Sequence, residues 1–272
     1  MKILITGSSG FVGTHLTKRL SKKFEIVRYD LVNGQDILNE RLLSKKMRGV
    51  DLVIHLAALI SASESWQKPK EYFKNNILGT ETVARIAIGC GVKKIIFFSS
   101  AAVKANPKTP YAVSKIAAEK ILDLYKDKIV SIIIRPENIY GPGQKKAYGY
   151  VIHNFIKAAK NNEEINVYGN GRQSRDFIYI DDVVSSVVNL ISKEIKSGSV
   201  ISLGTGNKTT VNRLANKVIK IVGKNVGVKH LPKRIEPRSS VAEKASMIAL
   251  GIDYLDFTTL DIGIKKLLKN DK

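Results

Sequence analysis

Tyr111 and Lys115 stand four residues apart in the stretch Tyr111-Ala-Val-Ser-Lys115. On a helix that spacing puts both side chains on one face. A free tyrosine has a pKa of about 10 and stays protonated at neutral pH. A cation held against the phenol favours the phenolate and lowers that value. A tyrosine tuned in this way exchanges a proton with an alcohol or sugar hydroxyl, which is the work of a general acid–base. The same pair also falls four apart on many solvated helices, so the surrounding chain has to decide between the two readings.

The elements before this pair supply the context. Residues 2–6 are an apolar run, followed by Gly7-Ser-Ser-Gly10-Phe-Val-Gly13. A helix is predicted next, with apolar positions at Phe11, Val12, Leu16 and Leu20. A second strand, Phe24-Glu-Ile-Val-Arg-Tyr29, ends at Asp30. Strand, glycine turn, helix, strand and acid, in that order, form a dinucleotide-binding βαβ unit. Gly7 permits the tight turn, Gly10 lets backbone approach a pyrophosphate, and Gly13 lets the helix pack close to the strand. The helix N-terminus turns amide hydrogens and a positive dipole end toward the phosphates. Asp30 is placed to accept hydrogen bonds from both adenosine ribose hydroxyls, which favours NAD over NADP.

Asp36-Ile37 is expected in a loop reaching the adenine ring, and residues 39–48 as a short helix. Asp51-Leu-Val-Ile-His-Leu-Ala-Ala58 reads as a buried strand leaving the sheet at its C-terminal edge. His55 at that edge is either a catalytic base or, the favoured reading, a histidine satisfied within the fold. Trp66 and Pro69 mark a loop, and one long helix is expected from Tyr72 to Cys90 with Asn75, Asn76, Gly79 and Thr80 on it. A buried strand then runs from Gly91 to Phe98 and ends at Ser99-Ser100. Another covers 129–134 and ends in Arg135-Pro-Glu-Asn-Ile-Tyr-Gly-Pro-Gly143. Alternating strands and helices imply a parallel sheet covered on both faces. The predicted class is α/β, a Rossmann-type doubly wound parallel sheet with a small, mostly C-terminal α/β substrate-binding region.

Past residue 143 the expected elements are a helix over 150–160, a strand over 165–168 and a turn at Gly169-Asn-Gly171. Asp181 or Asp182 is expected to cap a helix running to Ser192. A strand at 200–203, an amphipathic helix over 210–223 and two shorter helices complete the chain. The NAD-binding domain is expected to comprise 1–138 with 177–203, and the substrate-binding region 139–176 with 204–272.

The 272 residues suffice for a large domain or two unequal ones. Hydrophobic residues make up 44% and charged residues 25%, as in an ordinary globular protein. Cys90 is the single cysteine, which excludes an internal disulfide framework and a cysteine-rich metal site. No apolar run spans a bilayer, and the N-terminus opens directly into a strand, so the cytoplasm is the expected location. The net charge of +21 is spread evenly with no basic tail. It reads as a lysine-rich solvated surface that draws in anionic ligands such as nucleoside diphosphates. Metal, membrane and nucleic-acid partners are not expected.

Together these pieces resemble the extended short-chain dehydrogenase/reductase family, in its NAD-dependent nucleotide-sugar epimerase/dehydratase branch. The motifs run in the family's order. They are Gly7-x-x-Gly10-x-x-Gly13, Asp30, Asp36-Ile37, His55-Leu-Ala-Ala58, Asn76-x-x-Gly79-Thr80, Ser99-Ser100 and Tyr111-x-x-x-Lys115. Arg135-Pro-x-Asn138-x-Tyr-Gly-Pro-Gly143, Arg175-Asp-Phe177 with Asp181-Asp182, and Leu203-Gly-Thr-Gly206 follow. The resemblance implies that Tyr111 is the acid–base and that Ser100 hydrogen-bonds the reacting sugar oxygen. It implies that Lys115 binds the nicotinamide ribose and, with the positive ring of NAD, lowers the Tyr111 pKa. Further cofactor contacts are implied at Gly7, Gly10, Phe11, Val12, Gly13, Asp30, Asp36, Ile37, Leu56, Ala57, Ala58, Asn76, Ser99 and Pro136. Asn138 and Arg175 match positions that hold the substrate's nucleotide diphosphate, with Arg234 or Arg238 as a second phosphate contact and Arg238 preferred. An arginine suits a phosphate because its planar fork donates paired hydrogen bonds. A salt bridge from Arg175 to Asp176 or Asp181 is the plainer alternative.

Dehydratases of this branch carry added acid and base groups just after the serine, and decarboxylating relatives carry a glutamate. Here Ala101-Ala102 offers neither. Fucose-synthase-like relatives place a cysteine in this region, and Cys90 comes too early. The remaining set suits 4-epimerisation of a UDP-glucose/UDP-galactose type substrate by transient oxidation at C4 and return of the hydride. The chain departs from the family at Val103-Lys104-Ala105 and in a short segment between Ser100 and Tyr111, which implies a more open sugar pocket. Two other functions remain open. One is a one-way oxidoreductase or dehydratase of the same fold. The other is a non-catalytic nucleotide- or RNA-binding relative, which has no need of a working Ser-Tyr-Lys set. Family members dimerise through the helix of Tyr111, and Ile116, Ala117, Lys120, Ile121 and Leu124 are expected to supply one side of that contact.

Overall fold

In a computed structural model of the chain, the described residues are 1–104, 109–144, 151–233 and 241–270. They form two compact units, Met1–Pro136 with Val184–Ser202 and Glu137–Val183 with Leu203–Lys272. Residues 177–183, expected with the first unit, group with the second.

The first unit begins with β1 (Lys2–Thr6), α1 (Phe11–Leu20), β2 (Glu25–Tyr29), α2 (Glu40–Met47) and β3 (Leu52–His55). It continues through α3 (Pro69–Phe73), α4 (Gly79–Gly89), β4 (Lys94–Phe98), α5 (Pro110–Leu124) and β5 (Val130–Pro136). The next elements in the chain are β6 (Asn138–Tyr140), α6 (Val151–Lys160), β7 (Ile165–Tyr168), β8 (Ser174–Arg175) and β9 (Phe177–Tyr179). Then come α7 (Ile180–Ile191), β10 (Ser199–Leu203), β11 (Thr209–Thr210), α8 (Val211–Val222), β12 (Val228–Leu231), α9 (Lys244–Ile248) and α10 (Leu260–Asn270). No helix among the described residues is long and apolar enough to cross a membrane.

The central sheet is parallel and has six strands in the order β10-β5-β4-β3-β1-β2. Its strands are short runs of β-branched residues, which fit a pleated surface packed on both sides. On one face Leu4, Val53, Ile95, Phe97 and Ile133 pack with Leu43 and Met47 of α2, Val83 and Ala87 of α4, and Leu122 of α5. The alternate residues Ile3, Ile5, Ile54, Ile96 and Ile132 are buried too, so the opposite face is also covered. The chain steps from β1 to β2 on one side and returns to β3 on the other. The strand order therefore reverses at β1, and the crevice beyond the ends of β1 and β3 is where such sheets bind ligands.

The expected helix over 72–90 is broken. A π-helical turn, Lys74–Leu78, separates α3 from α4. Thr80 Oγ1 donates to the Asn76 carbonyl at 2.7 Å, and the Asn76 side chain turns inward to bond the backbone of Leu59. One extra residue in the turn is what lets Asn76 face the interior. The segment at Trp66 and Pro69, expected as a loop, holds a short 3₁₀ turn and α3.

In the second unit three two-stranded pairs, β6–β9, β7–β12 and β8–β11, replace a large sheet. Of these the sequence predicts β7; β6, β8, β9 and β11 have two or three residues, too few to show a period, and β12 carries Lys229 and His230 in its middle. Asp176 is fully buried and ties the unit together. One carboxylate oxygen accepts from Thr205 N at 3.0 Å and from the Thr205 hydroxyl, and the other from Gly206 N at 2.8 Å and Ala242 N at 3.1 Å. Asp182 accepts from Thr258 N and Oγ1.

The glycine turn sets the tightest packing in the first unit. A Cβ on Gly13 would lie 2.1 Å from the Gly7 carbonyl oxygen, where backbone has no room to yield. Gly13→Ala should cost about 2–3 kcal/mol and lower the melting midpoint by about 4–8 °C. Gly89→Ala meets nothing within 4 Å and should be neutral or slightly stabilising in the same thermal melt. Equal melting of the two variants would contradict the close approach.

Candidate active site

β1 ends at Gly7, whose φ of +68° a side chain rarely adopts. A Cβ there would also meet Ala57 N at 2.8 Å, so the loops after β1 and β3 pack directly against each other. Gly10 caps α1 with no side-chain hydrogen bond, and no acidic residue follows in the first turn. The amides of Phe11, Val12 and Gly13 thus open an electropositive helix end with no acid in its own first turn, a donor set that fits a pyrophosphate. Asp30 is buried and braces this turn, accepting from Ser9 N at 2.7 Å and Val32 N at 3.1 Å. Each of its oxygens keeps a further lone pair for a ribose hydroxyl.

Asp36 and Ile37 are both engaged within the unit. Ile37 is in the core against Gly79, and Asp36 Oδ1 accepts from Leu38 N at 2.9 Å. Leu56 and Ala57 donate their amides to Thr6 Oγ1, each at 3.2 Å, which fixes the path of Leu56-Ala57-Ala58. Thr6 Oγ1 also lies 2.7 Å from His55 Nδ1, and Thr80 Oγ1 lies 3.1 Å from Nε2. The Thr80 hydroxyl proton goes to the Asn76 carbonyl, so the network assigns the imidazole hydrogen to Nε2. Burial, reinforced by the Lys115 charge, pushes His55 down to about 3. It is therefore a neutral, satisfied histidine, which answers the choice left open by its position.

β4 delivers Ser99 and Ser100, and α5 delivers Tyr111 and Lys115. Thr109 caps α5 by accepting from Ala112 N, and Pro110 sits at its start, so the sequence itself fixes where the helix begins. Tyr111 lies in the first turn, and its ring meets Tyr72 edge-on at 6.4 Å. Lys115 is buried, donates to the Phe98 carbonyl at 2.8 Å, and lies over the Phe97 ring. Ser100 Oγ accepts from Ala102 N at 3.1 Å, and its hydroxyl lies near enough to the Tyr111 phenol to pull the phenol's pKa down. The three residues of the Ser-Tyr-Lys set are thus brought together in one unit.

Their electrostatics differ from the expectation in one respect. Burial raises the Tyr111 pKa, and the group pulling it down is the Ser100 hydroxyl rather than Lys115. The physical reason lies in Lys115 itself, which burial lowers to about 7 against an upward pull from Glu119. A lysine near its midpoint carries only part of its charge at neutral pH.

Asn76 and Ser99 were expected to touch the cofactor, and both side chains are committed within the unit. Asn76 Nδ2 donates to Leu59 O and to Ser114 Oγ, both at 2.9 Å, joining the loop after β3 to α5. Ser99 Oγ donates to Glu119, which Arg135 grips with two bonds. Sequence reasoning missed this Glu119–Arg135 pair, although Glu119 follows Lys115 at helical spacing. Pro136 ends β5.

In the second unit Asn138 donates through N and Nδ2 to the Asp176 carbonyl, each at 3.0 Å. Arg175 precedes Asp176 and donates from Nη1 to Ser174 O at 2.9 Å. The two expected diphosphate contacts therefore flank one anchored residue. Asp176 is occupied as described above, and Asp181 pairs with Lys266 at 3.6 Å. Arg234 and Arg238 lie outside the described residues.

Because the Lys115 pKa in the folded chain lies below its unfolded value of about 10.4, the unfolded chain binds more protons between those limits. Stability from this group therefore rises with pH from about 7 to about 10, and the burial cost is fully present below pH 7. The stability of the protein relative to Lys115→Met should climb by about 1–3 kcal/mol between pH 7 and pH 9 in denaturant titrations. A difference that stays flat would show that Lys115 is not depressed.

The chain was compared with known proteins. The NAD dependent epimerase/dehydratase family matches residues 3–204. A dTDP-D-glucose 4,6-dehydratase of Dictyostelium discoideum is 30% identical, over 81% of this chain and 62% of its own length. A putative UDP-glucose 4-epimerase of Methanocaldococcus jannaschii is 30% identical, over 81% of this chain and 82% of its own. The crystal structure of a Thermotoga maritima UDP-glucose 4-epimerase with UDP-glucose has a TM-score of 0.91 and 27% identity, covering 100% of this chain and 98% of that one. With the glycine turn, Asp30 and the Ser-Tyr-Lys set in place, the chain belongs to the NAD-dependent epimerase/dehydratase family, enzymes of the extended short-chain dehydrogenase/reductase type.

Proposed function

We propose that the protein is a nucleotide-sugar 4-epimerase that acts on UDP-sugars of the UDP-glucose/UDP-galactose kind. The observation that carries this reading is the buried Lys115 bonded to the Phe98 carbonyl, which sets Tyr111 of the same helix beside Ser100, followed by Ala101-Ala102 with no carboxylate. Expelling water from the sugar needs a further acid and base. Glu119, the carboxylate behind the serines, is tied up by Arg135 and Ser99. The UDP-glucose 4-epimerases among the relatives support the same choice.

The amides at the start of α1 would hold the pyrophosphate of NAD, Asp30 the adenosine ribose, and Lys115 the nicotinamide ribose. When bound, NAD supplies reversible hydride uptake at the sugar carbon and a positive ring near the phenol. Tyr111 Oη takes the proton of the C4 hydroxyl and later gives it back, while Ser100 Oγ holds the same oxygen and shares the proton. Burial keeps the phenol protonated in the chain alone, so it would give up that proton to solvent under the charge of the NAD ring before taking one from the C4 hydroxyl. Arg175 and Asn138, with Arg238, would bind the substrate's diphosphate. The single cysteine suits a reducing compartment, and the cytoplasm is the proposed location.

Incubation with NAD⁺ and UDP-glucose, UDP-galactose or their N-acetyl forms should yield the C4 epimer with no net change at the nicotinamide absorbance band. Tyr111→Phe should lower turnover by about two or more orders of magnitude while NAD binding persists. Near-normal turnover in that variant would overturn the mechanism, and steady release of NADH would make the enzyme a one-way oxidoreductase.

The same helix supports a dimer. Val113 and Leu124 of α5 are exposed, at 43% and 80%, and Ile116, Ala117 and Ile121 are half-buried. A second copy covering this face is the proposed assembly. Sedimentation should give a dimer at micromolar concentration that Leu124→Glu weakens, and a monomer throughout would refute it.

A further inference from the structure

The reading above uses Ser100, Tyr111 and Lys115 and gives Glu119 no part in the reaction. Glu119 is buried on α5, four residues after Lys115. A carboxylate removed from water has to be matched by donors. Arg135 Nε donates to Oε1 at 2.9 Å and Nη2 to Oε2 at 2.6 Å, a two-pronged pair. Ser99 Oγ donates to Oε1 as well. Ser99 lies between Phe98, whose carbonyl holds Lys115, and Ser100, whose hydroxyl meets Tyr111. Successive turns of α5 therefore grip successive residues at the end of β4, Lys115 on Phe98 and Glu119 on Ser99.

We propose that Glu119, held by Arg135, is a positioning residue that bolts the end of β4 to α5 through Ser99 and so fixes Ser100 against Tyr111 and Lys115. The proposal rests on the reading of those three residues as the reacting set. Glu119 reaches no reacting atom itself. Small misplacements at a reacting centre are costly, so a bond that holds the residue next to Ser100 bears on the reaction.

A second consequence is electrostatic. The groups facing Lys115 are Glu119 on its own helix, His55 from β3 and Tyr111, with Arg135 from β5 beyond Glu119. Tyr72 from α3 packs edge-on against Tyr111, and the uncharged Asn76 bonds Ser114, the residue before Lys115. His55 is neutral and Arg135 is matched to Glu119, so the Glu119 carboxylate is the anion that keeps the Lys115 ammonium charged against burial. Neutralising it makes Lys115 release its proton at lower pH.

The test uses the full chain with NAD⁺ and UDP-galactose. Glu119→Gln keeps an acceptor for Ser99 and removes the charge, whereas Ser99→Ala removes only the bolt. In Glu119→Gln the Lys115 titration, followed by NMR of the labelled lysine side chain and assigned with Lys115→Arg, should move down by about half a unit or more. The alkaline limb of its kcat profile should move the same way. In both variants kcat should fall by about three- to tenfold with KM little changed, and in Ser99→Ala the melting midpoint should stay near that of the parent, whereas Glu119→Gln, which breaks the pair with Arg135, should melt lower. If Glu119→Gln fails to fold, Ser99→Ala decides: unchanged kcat overturns the proposal. An unmoved Lys115 midpoint in folded Glu119→Gln overturns the electrostatic part. Full turnover in Tyr111→Phe would instead sink the catalytic reading, and the NMR shift of Lys115 would stand apart from it.

Discussion

A buried ammonium has to be answered where it sits, and here the Phe98 carbonyl answers Lys115 at 2.8 Å. That bond crosses from α5 to the last residue of β4. It ties the helix carrying Tyr111 to the strand end carrying Ser100, so a single interaction both satisfies a charge and assembles a site. The cost of burial appears in the lysine, whose pKa drops to about 7, and in the phenol, whose pKa rises. A site of this kind is not poised by its resting residues alone. In the proposed reaction the oxidised nicotinamide ring would bring the positive charge that Tyr111 lacks.

The neighbouring β1 and β3 ends follow the same logic with backbone in place of charge. Gly7 and Gly13 are glycines because an added carbon would strike the backbone of Ala57 or of the turn itself. Thr6 then spends its hydroxyl on Leu56 N, Ala57 N and His55. The result is a tight glycine turn leading into a helix with no acid in its first turn. Asp30 adds a carboxylate that steadies the turn as well as facing the site.

Polar side chains do much of the joining in both units. Asn76 holds the loop after β3 to α5, and Asp176 gathers Thr205, Gly206 and Ala242 around the residue between Arg175 and Phe177. Several motifs that read as ligand contacts are, in the folded chain, also struts. Leu203-Gly-Thr-Gly206 serves to hold Asp176, and Asn76 and Ser99 have their side-chain groups occupied by neighbours. A residue type that recurs at a site can be needed for the site's shape as much as for its ligand.

The sequence by itself determined the βαβ start and the alternation that makes a parallel sheet, and it picked out Tyr111 and Lys115 as a pair on one helix face. Those features are local: they depend on periods of two and 3.6, on glycine's freedom and on spacing within one helix. It left open whether His55 was a base and ran one helix through 72–90. Only the tertiary structure decided these, because each depends on residues far apart in the chain. His55 is satisfied by Thr6 and Thr80, the π turn exists so that Asn76 can reach Leu59 and Ser114, and Ile37 is drawn into the core beside Gly79. The state of Lys115 belongs to the same group, since desolvation and the field of Glu119 arise only when sheet and helix close around it.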